Sequence, residues 1–217
     1  IKRASKITGL GWKIYMDLAG PKIRTFLKDK EKLKVEAGQI IYLSDEANME
    51  DDKLTVGCTV TGIAEQLNTG ETVLFDDGLI EARVEKIESA RAKLQVLRIS
   101  SKKPFIKNEK GINFPDSSLL MPALTDYDIK CLSFINKHAN IVGYSFVRNT
   151  KDILQLQEAI GKNKDLSLVI KIETPEAVKN LPDLLFCGMR QENIGVMIAR
   201  GELAVEIGFE RMSEIPV

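Results

Sequence analysis

Two hydrophobic rhythms divide this chain. From about residue 27 to 114, short runs at 39–43, 72–75, 79–87 and 93–99 alternate apolar and polar side chains. A period of two is that of half-buried strands. Turn chemistry separates the runs at Ala37-Gly38, Asn68-Thr69-Gly70 and Asp77-Gly78. Many short strands without helical spacing predict a compact all-β module, a small barrel.

After Pro115 the rhythm becomes a regular α/β alternation. Thr125-Asp126 caps a predicted helix running to about His138, and 140–146 reads as a strand. Asn149 or Thr150 starts a second helix, 166–172 is the next strand, and Thr174-Pro175-Glu176 opens a third helix. That trio combines a hydroxyl N-cap, a proline at the first helical position and an acid in the first turn. A further strand is predicted at 194–199, and one more before the β module at 12–16, ending at Asp17. These runs are mostly apolar, as in a parallel sheet buried on both faces. Trp12 and Phe146 are expected in the core.

The fold class is therefore α/β. Residues 1–26 and 115–217 are expected to form one parallel domain of about four strands, with 27–114 inserted as the β barrel. A closed eightfold barrel takes about 250 residues, so this is expected to be a partial barrel and a piece of a longer protein. An open sheet of this kind leaves two unpaired edges to be paired or covered.

Composition narrows the partners. Among 217 residues, 31 basic and 31 acidic side chains balance, which gives no reason to expect nucleic acid or an anionic membrane. No apolar stretch approaches the roughly 20 residues of a membrane span. Cys58, Cys131 and Cys187 are odd in number and widely spaced. They read as buried thiols in a reducing compartment, with cytoplasm the expected location, and they make a zinc site unattractive. His138 is the only histidine, which excludes a His-rich metal site and disfavours a His-based triad. Its place near a helix end suits a core or capping role.

Candidate chemistry gathers at strand ends. Lys171-Ile172-Glu173 closes one apolar run, and Ala199-Arg200-Gly201-Glu202 closes the next, each ahead of helix-like sequence. In α/β architectures ligand chemistry sits at the carboxyl ends of the strands. A lysine there supplies a positive point charge and a glutamate a hard oxygen ligand. Two carboxylates about 4 Å apart repel by about 4 kcal/mol at an effective dielectric near 20, so a cation between them is the natural resolution. After the first strand, Gly20-Pro21 favours a tight turn that presents Lys22 and Arg24 to an anion.

Six ordered segments resemble the pyruvate kinase family. They are Asp17-Leu18-Ala19-Gly20-Pro21-Lys22-Ile23-Arg24-Thr25, Asp76-Asp77-Gly78, Lys110-Gly111-Ile112-Asn113-Phe114-Pro115, Ser145-Phe146-Val147-Arg148, Lys171-Ile172-Glu173 and Ala199-Arg200-Gly201-Glu202-Leu203. The resemblance covers roughly residues 12 to 208 and implies part of a (β/α)8 TIM barrel carrying an inserted β domain. It implies phosphoryl transfer between phosphoenolpyruvate and ADP, giving pyruvate and ATP. Glu173 and Glu202 would hold Mg²⁺ or Mn²⁺, and Lys171 would stabilise charge on the phosphoryl group and enolate oxygen. Ala199, Arg200 and Gly201 would help to hold the substrate anion. Arg24, Lys110, Asp76 and Asp77 would serve the nucleotide end, with Arg24 and Lys171 as the catalytic cations. A homo-oligomer is implied for the full-length protein.

The chain departs from the family pattern at Glu202, where most members carry Asp, and at Ala204, where glycine is usual. Potassium-requiring members carry Thr and Glu at the positions of Leu18 and Lys22; with a lysine ammonium in place, K⁺ is expected to be dispensable. Family segments that bind phosphate and protonate the enolate would lie outside 1–217, so this stretch alone is not expected to turn over. Two alternatives stand beside this reading. One is a Mg²⁺-dependent aldolase or lyase acting on pyruvate-like enolates, which would lack the inserted module and the Gly-Pro-Lys-Ile-Arg-Thr loop. The other is a non-catalytic module that binds or regulates.

Overall fold

The computed structural model describes residues 1–45, 54–88, 90–100, 102, 104–161, 163 and 165–215. In chain order these form α1 (Lys2–Thr8), β1 (Tyr15–Leu18), β2 (Thr25–Phe26), β3 (Lys32–Lys34), β4 (Ile40–Asp45), β5 (Thr55–Cys58), β6 (Thr72–Phe75), β7 (Ile80–Glu88), β8 (Arg91–Ile99), β9 (Phe105–Lys107) and β10 (Ile112–Asn113). There follow α2 (Asp126–His138), β11 (Ile141–Tyr144), α3 (Thr150–Ile160), β12 (Ser167–Ile172), α4 (Pro175–Lys179), α5 (Leu181–Gly188), β13 (Ile194–Ile198) and α6 (Arg200–Ile207).

The chain divides into two compact units, 1–21 with 122–204 and 208–217, and 22–121 with 205–207. The sequence placed the junctions at 26/27 and 114/115. The segment 22–26 joins the second unit because Thr25–Phe26 is a strand of its sheet, paired antiparallel with β5.

In the first unit β1, β11, β12 and β13 form a four-stranded sheet in that order, every pair parallel. This is the expected α/β sheet, built from successive strands. Register divides its faces, because side chains alternate sides at every residue. One face carries Leu18, Val142, Tyr144, Leu168, Ile170 and Ile172, each at most 1% exposed. Leu132 and Ile135 of α2, Ile153 and Leu156 of α3 and Leu184 of α5 are buried as well, each helix contributing an apolar stripe at helical spacing. Each such side chain contributes roughly 1.5–3 kcal/mol on burial. A methyl at Gly188 would collide with Ile194 and Ile170, so close does the end of α5 lie to β12 and β13.

Local chemistry sets the helix starts. Thr125 and Asp128 form a reciprocal capping box on α2, as do Asn149 and Asp152 on α3. Thr174 caps Ala177 N–H ahead of Pro175. The expected third helix is two pieces. α4 ends at Lys179, capped by Asn180, and α5 restarts with a proline in its first turn, because Pro182 lacks the N–H that would continue α4.

Burial on both faces fails at the sheet margins. Val196 and Met197 of β13 are 40% and 46% exposed, the signature of an edge strand. Trp12 is not core; it is 59% exposed, because pairing begins only at Tyr15 and the ring never enters a packed layer. Phe146 is half-buried. Cys58 is buried, whereas Cys131 and Cys187 are only partly so, and all three are free thiols. His138 ends α2, its ring 4.4 Å from that of Phe134.

The second unit is a seven-stranded sheet in the order β10-β6-β7-β8-β4-β5-β2, antiparallel except for β4 with β5. Its edges meet. Arg24 pairs with Gly111, Thr25 N–H donates to Lys110 O at 2.7 Å, and Ile112 N–H donates to Ile23 O at 3.0 Å. Register shifts between Glu81/Ala82 and Val84/Lys86 on the β7–β8 pair add the local bend and twist that such closure needs. The interior holds Ile41, Leu43, Val56, Val73, Phe75, Leu94 and Val96, each fully buried. β3 and β9 form a separate two-stranded ribbon. No helix among the described residues is long and apolar enough to cross a membrane.

Candidate functional site

Lys171 and Glu173 lie two residues apart at the carboxyl end of β12, so both point to the face opposite the apolar layer. They are 8% and 2% exposed. Lys171 Nζ lies 2.9 Å from Glu173 Oε1 and 3.6 Å from Asp17 Oδ1, and it donates to Ser145 Oγ at 2.9 Å. Neighbouring registers bring these groups together. Asp17 pairs with Gly143, and Gly143 with Val169, so Ser145 and Lys171, two residues further along their strands, emerge side by side.

Glu173 is held from its other oxygen. Phe146 N–H donates to Oε2 at 2.9 Å, and Phe146 has φ 57°, a conformation that costs a bulky residue about 1–3 kcal/mol. Gly20, at φ 66°, packs beneath it; a Cβ there would lie 3.0 Å from Phe146 Cδ2. Glu173 Oε1 lies 2.9 Å from the ammonium, a single contact that leaves lone-pair capacity on a buried oxygen.

Charge is unbalanced at this face. Burial pulls the Lys171 pKa down, but the hydrogen bond and charge of Glu173, then the charges of Asp17 and Glu202, outweigh it and leave the pKa raised. The ammonium is therefore protonated at neutral pH. Three carboxylates acting on one ammonium leave an anionic surplus that favours a cation.

Glu202 sits exposed in the first turn of α6. Ala199 is the N-cap residue; it is buried, makes no side-chain cap, and donates its N–H to Ile172 O at 3.1 Å. Arg200 and Gly201 follow as the first two residues of α6 and are exposed. Leu18 is buried on the helix-covered face of β1. The next residue, Ala19, donates its N–H to Asp128 Oδ1 at 3.0 Å, which ties the loop after β1 to the start of α2.

The remaining sequence-predicted residues gather in the second unit. Lys110 Nζ lies 2.9 Å from Asp76 Oδ1, and Arg24 Nη1 donates to Glu109 O at 2.7 Å. Asp76, Asp77 and Gly78 take φ of 52°, 56° and 79° in the β6–β7 turn. Asp76 N–H donates to Gly111 O at 3.0 Å, and Asp77 Oδ1 lies 3.9 Å from where a Gly111 Cβ would be. Arg24, Lys110, Asp76 and Asp77 thus surround Gly111, where the barrel edges meet. Lys22 begins this unit and is half-buried.

The structure therefore brings Lys171 and Glu173 into contact, with Glu202 in electrostatic reach, and gathers the four nucleotide-end residues separately. Sequence reasoning missed Asp17, Ser145 and the Phe146 N–H as partners of this site. The signal for Asp17 and Ser145 was parity along adjacent strands, readable once the pairing is known. Among the described residues no group of three or more His, Cys, Asp or Glu side chains converges to hold a metal ion. A cation here would take at most a pair of protein carboxylates, which suits Mg²⁺, an ion that keeps water and substrate oxygens in its shell.

Comparison with known proteins agrees with this architecture. The family model described as "Pyruvate kinase, barrel domain" matches residues 1–215. A pyruvate kinase of Bacillus licheniformis is 32% identical over 221 aligned residues, which take in 100% of this chain and 36% of that protein. One from Staphylococcus saprophyticus is 31% identical, over 95% of this chain and 34% of its own length. One from Staphylococcus aureus is 30% identical, over 97% and 34%. The chain spans about a third of the length of these curated relatives.

Proposed function

The chain belongs to the pyruvate kinase family, and on that premise we propose that it carries the Lys171 and metal-binding portion of a site for phosphoryl transfer between phosphoenolpyruvate and ADP. The observation that carries this reading is the buried Lys171–Glu173 pair, flanked by Asp17 and Ser145 at the carboxyl ends of adjacent strands.

Phosphoryl transfer asks little covalent chemistry of a protein; it asks for charge neutralisation and positioning. Lys171 is protonated, buried and fixed by three oxygens. It stabilises negative charge on the transferring group and on the enolate oxygen without prior reorganisation. The backbone N–H groups of Arg200 and Gly201, at the positive end of α6, hold the substrate anion.

Glu173 and Glu202 fit a divalent cation, Mg²⁺ or Mn²⁺. Both offer hard oxygens, and Glu173 Oε1 retains open lone pairs. When bound, such an ion supplies charge neutralisation for carboxylate and phosphate oxygens. Glu202, exposed in the first turn of α6, acts on Lys171 through its charge. In the second unit, Arg24 and Lys110 meet nucleotide phosphates, with Asp76 restraining Lys110 and Asp77 beside Gly111. The ammonium of Lys22 and the apolar Leu18 make K⁺ dispensable.

The test is pyruvate release by the full-length protein with phosphoenolpyruvate, ADP and Mg²⁺, alongside Lys171→Met. Activity in the parent and its loss in the variant support the proposal. No activity in either, with nucleotide binding intact, favours a non-catalytic module. Strong stimulation by K⁺ over Na⁺ at equal ionic strength defeats the potassium assignment alone.

A further inference from the structure

Gly143 of β11 stands in register with Asp17 of β1, and its missing side chain is a notch in the site face. A methyl there would overlap Tyr15 Oη and Asp17 Oδ1 and lie 2.7 Å from Tyr15 Cζ. The phenol oxygen and the carboxylate oxygen therefore converge on one small volume that only glycine leaves open. Tyr15 and Asp17 are two residues apart on one strand and share that face. Asp17 Oδ1 in turn lies 3.6 Å from Lys171 Nζ.

Burial, then the charge and hydrogen bond of Asp17 and the charge of Glu173, push the Tyr15 pKa up to about 12, so the phenol stays a neutral donor. That matters because the acids around Lys171 compete for one ammonium. The groups facing it are Asp17 from β1, Ser145 beyond β11, Glu173 beyond β12 and Glu202 from α6, with Tyr15 acting on Asp17 and Glu173. Asp17 is the loosest of the close partners, its side chain 50% exposed against 1% for Glu173. Without a second partner, Asp17 is free to swing closer and draw Nζ off Glu173.

We propose that Tyr15 is a positioning residue of this site: admitted by the Gly143 notch, its phenol holds Asp17 at a distance that leaves the Lys171 ammonium aimed at the transferring group. This rests on the catalytic reading of Lys171 given above. It adds a neutral hydroxyl to the site whose effect on the reaction passes through Asp17.

The experiment uses the full-length protein and compares Tyr15→Phe, Lys171→Met and the parent. Tyr15→Phe keeps the ring and removes only the hydroxyl. The expected result is a kcat lower by about tenfold, equivalent to about 1.4 kcal/mol, with KM for phosphoenolpyruvate within about twofold. Gly143→Ala displaces the same oxygens and is expected to change kcat in the same direction. An unchanged kcat in Tyr15→Phe, with Lys171→Met inactive, overturns the role of Tyr15 and leaves that of Lys171 standing. A lowered kcat accompanied by a KM raised well beyond twofold and a reduced melting temperature marks Tyr15 as merely structural and also overturns it. Full activity in Lys171→Met overturns both readings.

Discussion

Phe146 N–H donates to Glu173 Oε2 at 2.9 Å, and Phe146 adopts φ 57° in making that bond. An aromatic residue held in the left-handed region is over-determined by its surroundings, here by Gly20 beneath the ring and Glu173 beyond the N–H. The carboxylate thus organises the backbone of one strand end as well as the ammonium of its own.

Removing that carboxylate exposes both debts. Glu173→Ala is expected to destabilise the first unit by about 3–5 kcal/mol, the usual cost of leaving one half of a buried ion pair. Glu173→Gln keeps an acceptor for Phe146 N–H and is expected to cost less. Urea midpoints of the two variants check this, and equal midpoints would contradict the ordering.

Alkaline pH probes Lys171 directly. Its folded pKa is raised, the attraction of Glu173, Asp17 and Glu202 overcoming the opposing effect of burial. The stability it contributes is therefore fully present below the unfolded value of about 10.4 and is lost as pH rises through the folded value. The gap in urea midpoint between parent and Lys171→Met is expected to be constant from about pH 8 to 9.5 and to narrow above about pH 10.4. A gap that stays flat to higher pH would show that the carboxylates do not hold the ammonium.

Asp128 does two jobs at the start of α2. It completes the capping box with Thr125 and accepts Ala19 N–H from the loop after β1. Asp128→Ala is expected to cost about 1–2 kcal/mol, a cap plus the part-buried bond from Ala19 N–H. Amide exchange read at Ala19 and Thr125, whose N–H groups both donate to the Asp128 carboxylate, checks it; both are expected to lose protection together.

Acid pH probes the second unit through Glu71. Burial raises its pKa, but hydrogen bonds from Ser117 Oγ at 2.6 Å, Asn68 Nδ2 at 2.9 Å and Asn68 N–H at 3.0 Å leave it lowered overall. A lowered pKa gives stability that is present above the unfolded value of about 4.3 and lost as pH falls through the folded one. Glu71→Gln is expected to abolish this acid dependence in thermal melts between about pH 5 and 3.

Much of this architecture was legible in the chain because its signals are local. Capping at Thr125, Asn149 and Thr174 acts over three residues, and turns such as Asp77-Gly78 act over two. Strands 166–172 and 194–199 were placed within a residue or so of β12 and β13, and they put Lys171, Glu173 and Glu202 at strand ends. Trp12 was misread because an aromatic beside an apolar run looks like core until pairing is known to begin at Tyr15. The break between α4 and α5 followed from Pro182, a proline inside a segment that otherwise reads as one helix.

What the sequence determined by itself is the alternation of elements, their caps and the residue types at strand ends, since propensity and periodicity are read over a few neighbours. The tertiary structure alone decided which strand ends share a face. Asp17 meets Gly143, and Phe146 meets Glu173, through pairing registers that join segments far apart in the chain. A slip of one residue would turn every one of those side chains to the opposite side. The same holds for Arg24 against Gly111, where closure of a sheet joins its first strand to its last.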